Sequence, residues 1–246
     1  MHRCVLRSSI LMLLILLAVP IVVGQTEEVL PTVDQVLKRY VEAIGGSEAI
    51  EKLTSRDCRG QLTHDLSSRK PPVHEEVQFS MISKVPNCCL LMFNRAGQIK
   101  RAGFDGTVGW RQRDGKISVD ESVGRDKLAW LINPQNAQHI EEYFPELFVG
   151  GTEVLGNKTV VVLEPVNLDK TYFALYFDTE TGLLVRIGYY WNLKDYRPVD
   201  GVLFPHRIVT SRKGGTSTYD FHRVKHNAPF DDAMFAAPES GETGNN

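Results

Sequence analysis

The stretches VLFPHRIVTSR (202–212) and STYDFHRV (217–224), with Gly214-Gly215 between them, decide how the chain reads. Both alternate apolar with polar residues, the period of a strand that buries one face. The paired glycines mark a tight turn, so the two runs lie antiparallel. The same signal recurs upstream. Val77, Phe79 and Met81 alternate with Glu76, Gln78 and Ser80, and residues 88–93 and 98–104 read as two further strands. Residues 108–113 and 116–119 flank Asp114-Gly115, a hairpin turn that favours positive φ. Residues 160–165, 172–177 and 183–191 continue the series, the last two joined through the turn from Asp178 to Gly182. Strands linked by short turns form a meander, not βαβ units.

Two stretches leave this period. Val33, Val36, Leu37, Tyr40, Val41 and Ile44 follow the spacing of one helix face, with Pro31-Thr32 as start and Gly45-Gly46 as stop. Ser47 then caps a short second helix carrying Ala49, Ile50 and Leu53. The second stretch is GRDKLAWLINPQNAQHIEEYFPELF (124–148), helical in spacing at Leu128, Leu131 and Ile132 and cut by Pro134 and Pro145. The expected fold class is α+β: a curled antiparallel sheet, an unclosed half-barrel, with an N-terminal helix pair and a central helical lid over its apolar concave face.

The 246 residues carry 28 Lys+Arg against 30 Asp+Glu, and 42% are hydrophobic. That balance excludes a strongly basic nucleic-acid binder, and the apolar content excludes a disordered chain. The apolar run from Ile10 to Val23, with Arg3 and Arg7 before it and Gly24-Gln25 after it, reads as a secretory signal peptide over residues 1–25. It is short of the roughly 20 residues that cross a bilayer, so no membrane span is expected once it is removed. No Cys follows it to carry a lipid. Residues 26–238 form the expected single domain and 239–246 (ESGETGNN) a polar, disordered tail. Cys58, Cys88 and Cys89 are an odd number, so at most one disulfide can form among them, and no redox or zinc spacing is present.

Catalytic signals are weak. The six histidines from His64 to His226 are scattered. His139 and Glu142 share a helix face that reads as solvated, and no Ser/His/Asp pattern is evident. Gly103, Gly106 and Gly109 lie among strands and so form no phosphate loop. Asn157-Lys158-Thr159 reads as a hairpin turn. No catalytic residue, metal or cofactor is assigned. The apolar residues remain: Phe79, Met81, Leu91, Phe93, Phe104 and Trp110 as the floor of a cavity, with Trp130, Leu131, Phe144 and Phe148 in its lid. Burial of an acyl chain there would be worth about 0.8 kcal/mol per CH₂. A filled core of the same residues is the alternative.

Three segments carry a family resemblance: Pro31-Thr-x4-Leu37-x-Arg39-Tyr40-x2-Ala43-Ile44-Gly45-Gly46-x2-Ala49-Ile50-x2-Leu53, then Asp178-x3-Gly182-Leu183-Leu184, then Val199-Asp200-Gly201-Val202-x-Phe204-Pro205-His206-x-Ile208 with Asn227-Ala-Pro-Phe-Asp-Asp232-x2-Phe235. Together they resemble exported outer-membrane lipoprotein-sorting-like proteins, of the superfamily of the periplasmic carrier LolA, its receptor LolB and the mycobacterial lipid-binding lipoproteins. The resemblance implies an unclosed half-barrel with a helical lid over a hydrophobic cavity. The motifs look like turns, caps and core positions and say little about activity. With the export signal and the apolar residues above, the leading expectation is an exported, periplasmic or extracellular, non-catalytic binder or carrier of a hydrophobic small molecule, an acyl chain or a lipidated protein. The absence of a lipid-bearing Cys sets the chain apart from the anchored receptor. A cell-envelope assembly protein with a filled core, or an enzyme on the same scaffold, are the competing readings; fold alone does not decide between them.

Overall fold

A computed structural model describes residues 29–144 and 146–238. The expected signal peptide and polar tail lie outside the described residues. The sheet has thirteen strands: β1 Ser55–Leu66, β2 Val73–Lys84, β3 Cys88–Arg95, β4 Gln98–Phe104, β5 Gly109–Arg113, β6 Lys116–Val119, β7 Leu147–Leu155, β8 Lys158–Pro165, β9 Leu175–Asp178, β10 Leu184–Ile187, β11 Trp191–Val199, β12 Val202–Arg212 and β13 Gly215–His226. Among the described residues five α-helices accompany it: α1 Val33–Ala43, α2 Ser47–Glu51, α3 Lys127–Ile132, α4 Ile140–Tyr143 and α5 Lys170–Phe173.

The spatial order is β6-β5-β4-β3-β2-β1-β13-β12-β11-β10-β9-β8-β7, and each adjacent pair is antiparallel. The chain therefore starts at the middle, works outward to one edge, and resumes at the other edge to work back. The sheet is not closed, and the connector between β6 and β7 has to span its two edges. The expected α+β half-barrel is what the chain forms. Three of its hairpins turn on residues with positive φ at both positions, Ala96-Gly97, Asp114-Gly115 and Asp200-Gly201. Such turns match the right-handed twist of the strands they join.

The helix pair forms as expected. Thr32 caps α1 in a reciprocal pair with Gln35, and Val36, Tyr40 and Ile44 turn inward. Gly46, not Ser47, takes the N-cap of α2, because its φ of +85° suits the corner between the helices.

The second half departs from the expected strands. Asp169 caps a single helical turn, α5, through Thr171 N–H, so residues 170–173 are helical and β9 is short. The run 183–191 splits at Gly188, whose φ is +54° and whose missing Cβ would stand 2.6 Å from the carbonyl of Thr171. Residues 147–155, which include the end of the expected lid, form edge strand β7.

The three resemblance segments touch one another. Gly45 sits against the carbonyl of Gly201, Leu203 N–H donates to Ile44 O (2.7 Å), and Gly182 packs on Arg39. Arg39 also donates to the Glu180 carbonyl (3.0 Å). These motif residues are the points where the N-terminal helix docks on the sheet's hairpins.

Candidate ligand-binding site

Register assigns each side chain to a face. Met81 pairs with Leu91 and with Cys58, and Leu91 with Ala102, placing all four on the concave side. One continuous apolar cluster runs along this face. It joins Phe79, Met81 and Leu91 of the first half to Leu163, Phe177 and Ile208 of the second, and to Trp130, Leu131 and Phe144 of the connector. Phe79 stands edge-on to Phe221 at 5.1 Å, and Trp130 edge-on to Phe144 at 5.3 Å. Beneath the middle of the connector the concave face is thus filled.

The connector is pinned at both ends of α3. Asp126 caps its start through Leu128 N–H (2.8 Å). Lys127 Nζ donates to the Tyr172 carbonyl and lies 4.8 Å from the Phe173 ring centre, and burial lowers its pKa to about 8. At the other end Ser83 Oγ donates to Ile132 O (2.6 Å), and Arg56 reaches the carbonyls of Leu131, Ile132 and Asn133. These are the carbonyls a helix C-terminus leaves without intrahelical donors.

Beside α3, over β1–β5, the packing leaves a recess of about 360 Å³, open along its rim. Leu62, Val77, Leu91, Phe93, Leu128 and Tyr219 give it apolar walls. Burial raises the Tyr219 phenol to about 12, so it lines the wall neutral. Basic side chains edge the same recess: Arg95, Lys100, Arg111 and Arg113. Arg95 pairs with Glu75 and Arg111 with Asp120. Hydrogen bonds from Ser122 and Arg111 hold the Asp120 carboxyl below its ordinary range. A second recess of about 590 Å³ lies between the connector and the turns at Pro86-Asn87 and Asn167-Leu168, walled by Trp130, Tyr143 and Phe173 with the amides of Asn133 and Asn136.

Of the ten residues expected to line a cavity, Leu91 and Phe93 line the first recess and Trp130 the second. Phe79, Met81, Leu131 and Phe144 are buried in the filled part. Phe104 is on the concave side under Gly124, whose missing Cβ would meet its ring at 3.0 Å. Two stand elsewhere. Trp110 is on the opposite face, its ring in the space left by Gly103 and its indole N–H donating to Phe235 O (2.7 Å). Phe148 is on edge strand β7, 45% exposed.

Leu62, Val77, Leu128 and Tyr219 and the basic rim escaped the sequence reading. The turn Ala96-Gly97 held the signal for the rim. It fixes Phe93 opposite Lys100, so both share a face.

Among the described residues His64 and His139 stand in separate pairs. His64 Nδ1 lies 2.7 Å from Ser217 Oγ, a pair the sequence did not suggest, but Glu75 across the strand from His64 is engaged by Arg95. His139 meets Glu142 at 2.8 Å on an exposed face. Cys58, Cys88 and Cys89 are free thiols, and burial pushes Cys58 and Cys89 up to about 12. Among the described residues no group of three or more His, Cys, Asp or Glu stands close enough to hold a metal ion, and no helix is long and apolar enough to cross a membrane.

No protein-family model and no curated protein matches the sequence. Solved structures do match. A LolA superfamily protein from Nitrosomonas europaea is 14% identical, with a TM-score of 0.58 over 85% of this chain and 99% of that one. A DUF1329 family protein from Desulfovibrio piger is 12% identical, with a TM-score of 0.55 over 83% and 97%. A putative outer membrane lipoprotein-sorting protein domain from Vibrio parahaemolyticus is 12% identical, with a TM-score of 0.52 over 82% and 96%. The chain therefore has the fold of the LolA superfamily, as the three motif segments of its sequence imply.

Proposed function

We propose that the protein is an exported, non-catalytic binder or carrier of a hydrophobic ligand in the cell envelope. The observation that carries this reading is the apolar recess of about 360 Å³ beside α3, within the range of about 300–1,000 Å³ typical of small-molecule sites. Its walls come from both the sheet and the helical connector, so a ligand there is held by two elements. The apolar run of residues 10–23 supports export, and the fold likeness to lipoprotein-sorting proteins is consistent with an envelope location.

The test is native mass spectrometry and lipid extraction of protein purified from its own host, with 1-N-phenylnaphthylamine uptake as a second readout. Bound acyl material and dye uptake are expected, and both should fall in Ala102→Leu, which fills part of the recess. Protein that carries no lipid and takes up no dye would sink the reading.

A second reading, an assembly factor that holds a protein partner, is favoured by strand β7. It is an edge of the sheet and exposes Phe148 and Val154. A stoichiometric protein partner on a ligand-free recess would favour it over the first.

A further inference from the structure

The recess is not neutral at its mouth. β3, β4 and β5 bring Arg95, Lys100, Arg111 and Arg113 to the concave side, since Phe93 pairs with Lys100 and Ala102 with Arg111. Three acids stand nearby, and each is already engaged. Glu75 is on Arg95, Asp120 is on Arg111, and Asp126 caps α3. Lys100 and Arg113 form no ion pair with any described residue, and both are exposed. Apolar walls thus end in two exposed, uncommitted cations, and the half-buried Arg101, on the other face of β4 opposite Met92, lines the recess without an ion pair as well. At about 30 Å³ per group, the volume of a water in the liquid, the recess has room for roughly a dozen methylenes.

We propose that the recess takes a single-chain amphiphile with an anionic head group, its chain against Leu62, Val77 and Leu91 and its head at Lys100 and Arg113. This rests on the hydrophobic-ligand reading above and names the ligand class. A chain alone gains the apolar burial; an anion on the chain also gains charge-assisted hydrogen bonds at the rim. A cationic head would meet five basic side chains, Arg101 included, against the two acids Glu75 and Asp126 that line the recess. A carboxylate and a phosphate share the required chemistry, and they differ in charge and in the number of acceptor oxygens.

Four ligands with one chain separate these terms: dodecanoate, dodecyl phosphate, dodecanol and dodecyltrimethylammonium, each displacing 1-N-phenylnaphthylamine below its micellar range. Both anions should displace the dye at about tenfold lower concentration than dodecanol, with the cation weakest. Raising the salt should narrow the gap. The double variant Lys100→Gln/Arg113→Gln changes two exposed side chains, so it should fold normally, bind dodecanol as before and lose the anion advantage. Equal binding of the two anions supports recognition by charge, and a phosphate preference supports a phosphorylated head group. Dodecanol binding as tightly as the anions overturns the anionic class, an advantage that survives the double variant overturns the placement of the head at Lys100 and Arg113, and either result leaves the hydrophobic reading standing. Failure of dodecanol and of the dye to bind overturns both.

Discussion

Arg56 carries a guanidinium into the concave face, where only 2% of the residue is exposed. Its Nε donates to His226 Nε2 (2.9 Å), its Nη1 is 3.4 Å from each of three carbonyls at the end of α3, and it lies 4.5 Å from the Phe204 ring centre. Burial lowers its pKa to about 10, which leaves it charged at neutral pH. Arg56→Met removes the donor and strands those acceptors. The expected cost is about 3 kcal/mol, read as a lower urea midpoint with an unchanged slope. A cost under about 1 kcal/mol would show that water replaces the guanidinium. His226 must stay neutral to accept from Arg56, and burial, then Arg56 itself, lowers its pKa to about 4. Between pH 6.5 and 4 the unfolded chain takes up a proton that the folded chain refuses, so stability falls as pH falls through that window. From pH 7 to 4.5 wild type should lose about 2–3 kcal/mol more than His226→Gln, which keeps an acceptor and does not titrate. Equal losses in urea melts would contradict this. The sequence hides Arg56 because a lone arginine at the head of a strand reads as solvated. Its burial depends on a helix end 75 residues away. Trp110 misled for a related reason. Alternation shows that a side chain has a face, and only the pairing with Gly103 shows which face.

At the scale of elements, α3 is six residues long and would not be stable alone. A local cap and tertiary contacts hold it: Asp126 at its N-cap, then Lys127 on α5, and Arg56 and Ser83 at its end. Asp126→Ala should cost about 1 kcal/mol and raise amide exchange across residues 127–132 more than in β1 or β13. Uniform exchange changes would mean the helix does not open on its own. Its helical spacing was legible because Leu128, Leu131 and Ile132 all turn inward. β7 was not legible. It is an edge strand with little buried surface, and Gly150-Gly151 shifts its register where alternation would have shown. The turn at α5 was masked by Tyr172 and Phe173, aromatic residues that suit a strand on propensity and are overruled by the Asp169 cap.

For the whole molecule, the meander and its turns were legible because local signals specify them: glycines with positive φ, Asp-Gly pairs and period-two runs. The joining of the two halves was not, since no local signal says that β1 meets β13. That seam joins two halves contiguous in sequence, β1–β6 and β7–β13, and it pairs Arg56 with His226, residues 170 apart. Until the last hairpin arrives, each half holds a bare strand at its inner margin, with unpaired amides and apolar side chains facing water. Closing so long a loop comes late, because its entropy is lost before its contacts form. In pulse-labelled refolding the amides of β1 and β13 that face each other should gain protection after those of β3–β5, and early protection at the seam would refute that order. An order of this kind gives the nascent chain two sticky faces and one correct way to join them. Aggregation during folding is then a race against a single zipper, and a variant that weakens the seam would be lost to misassembly before its folded stability mattered.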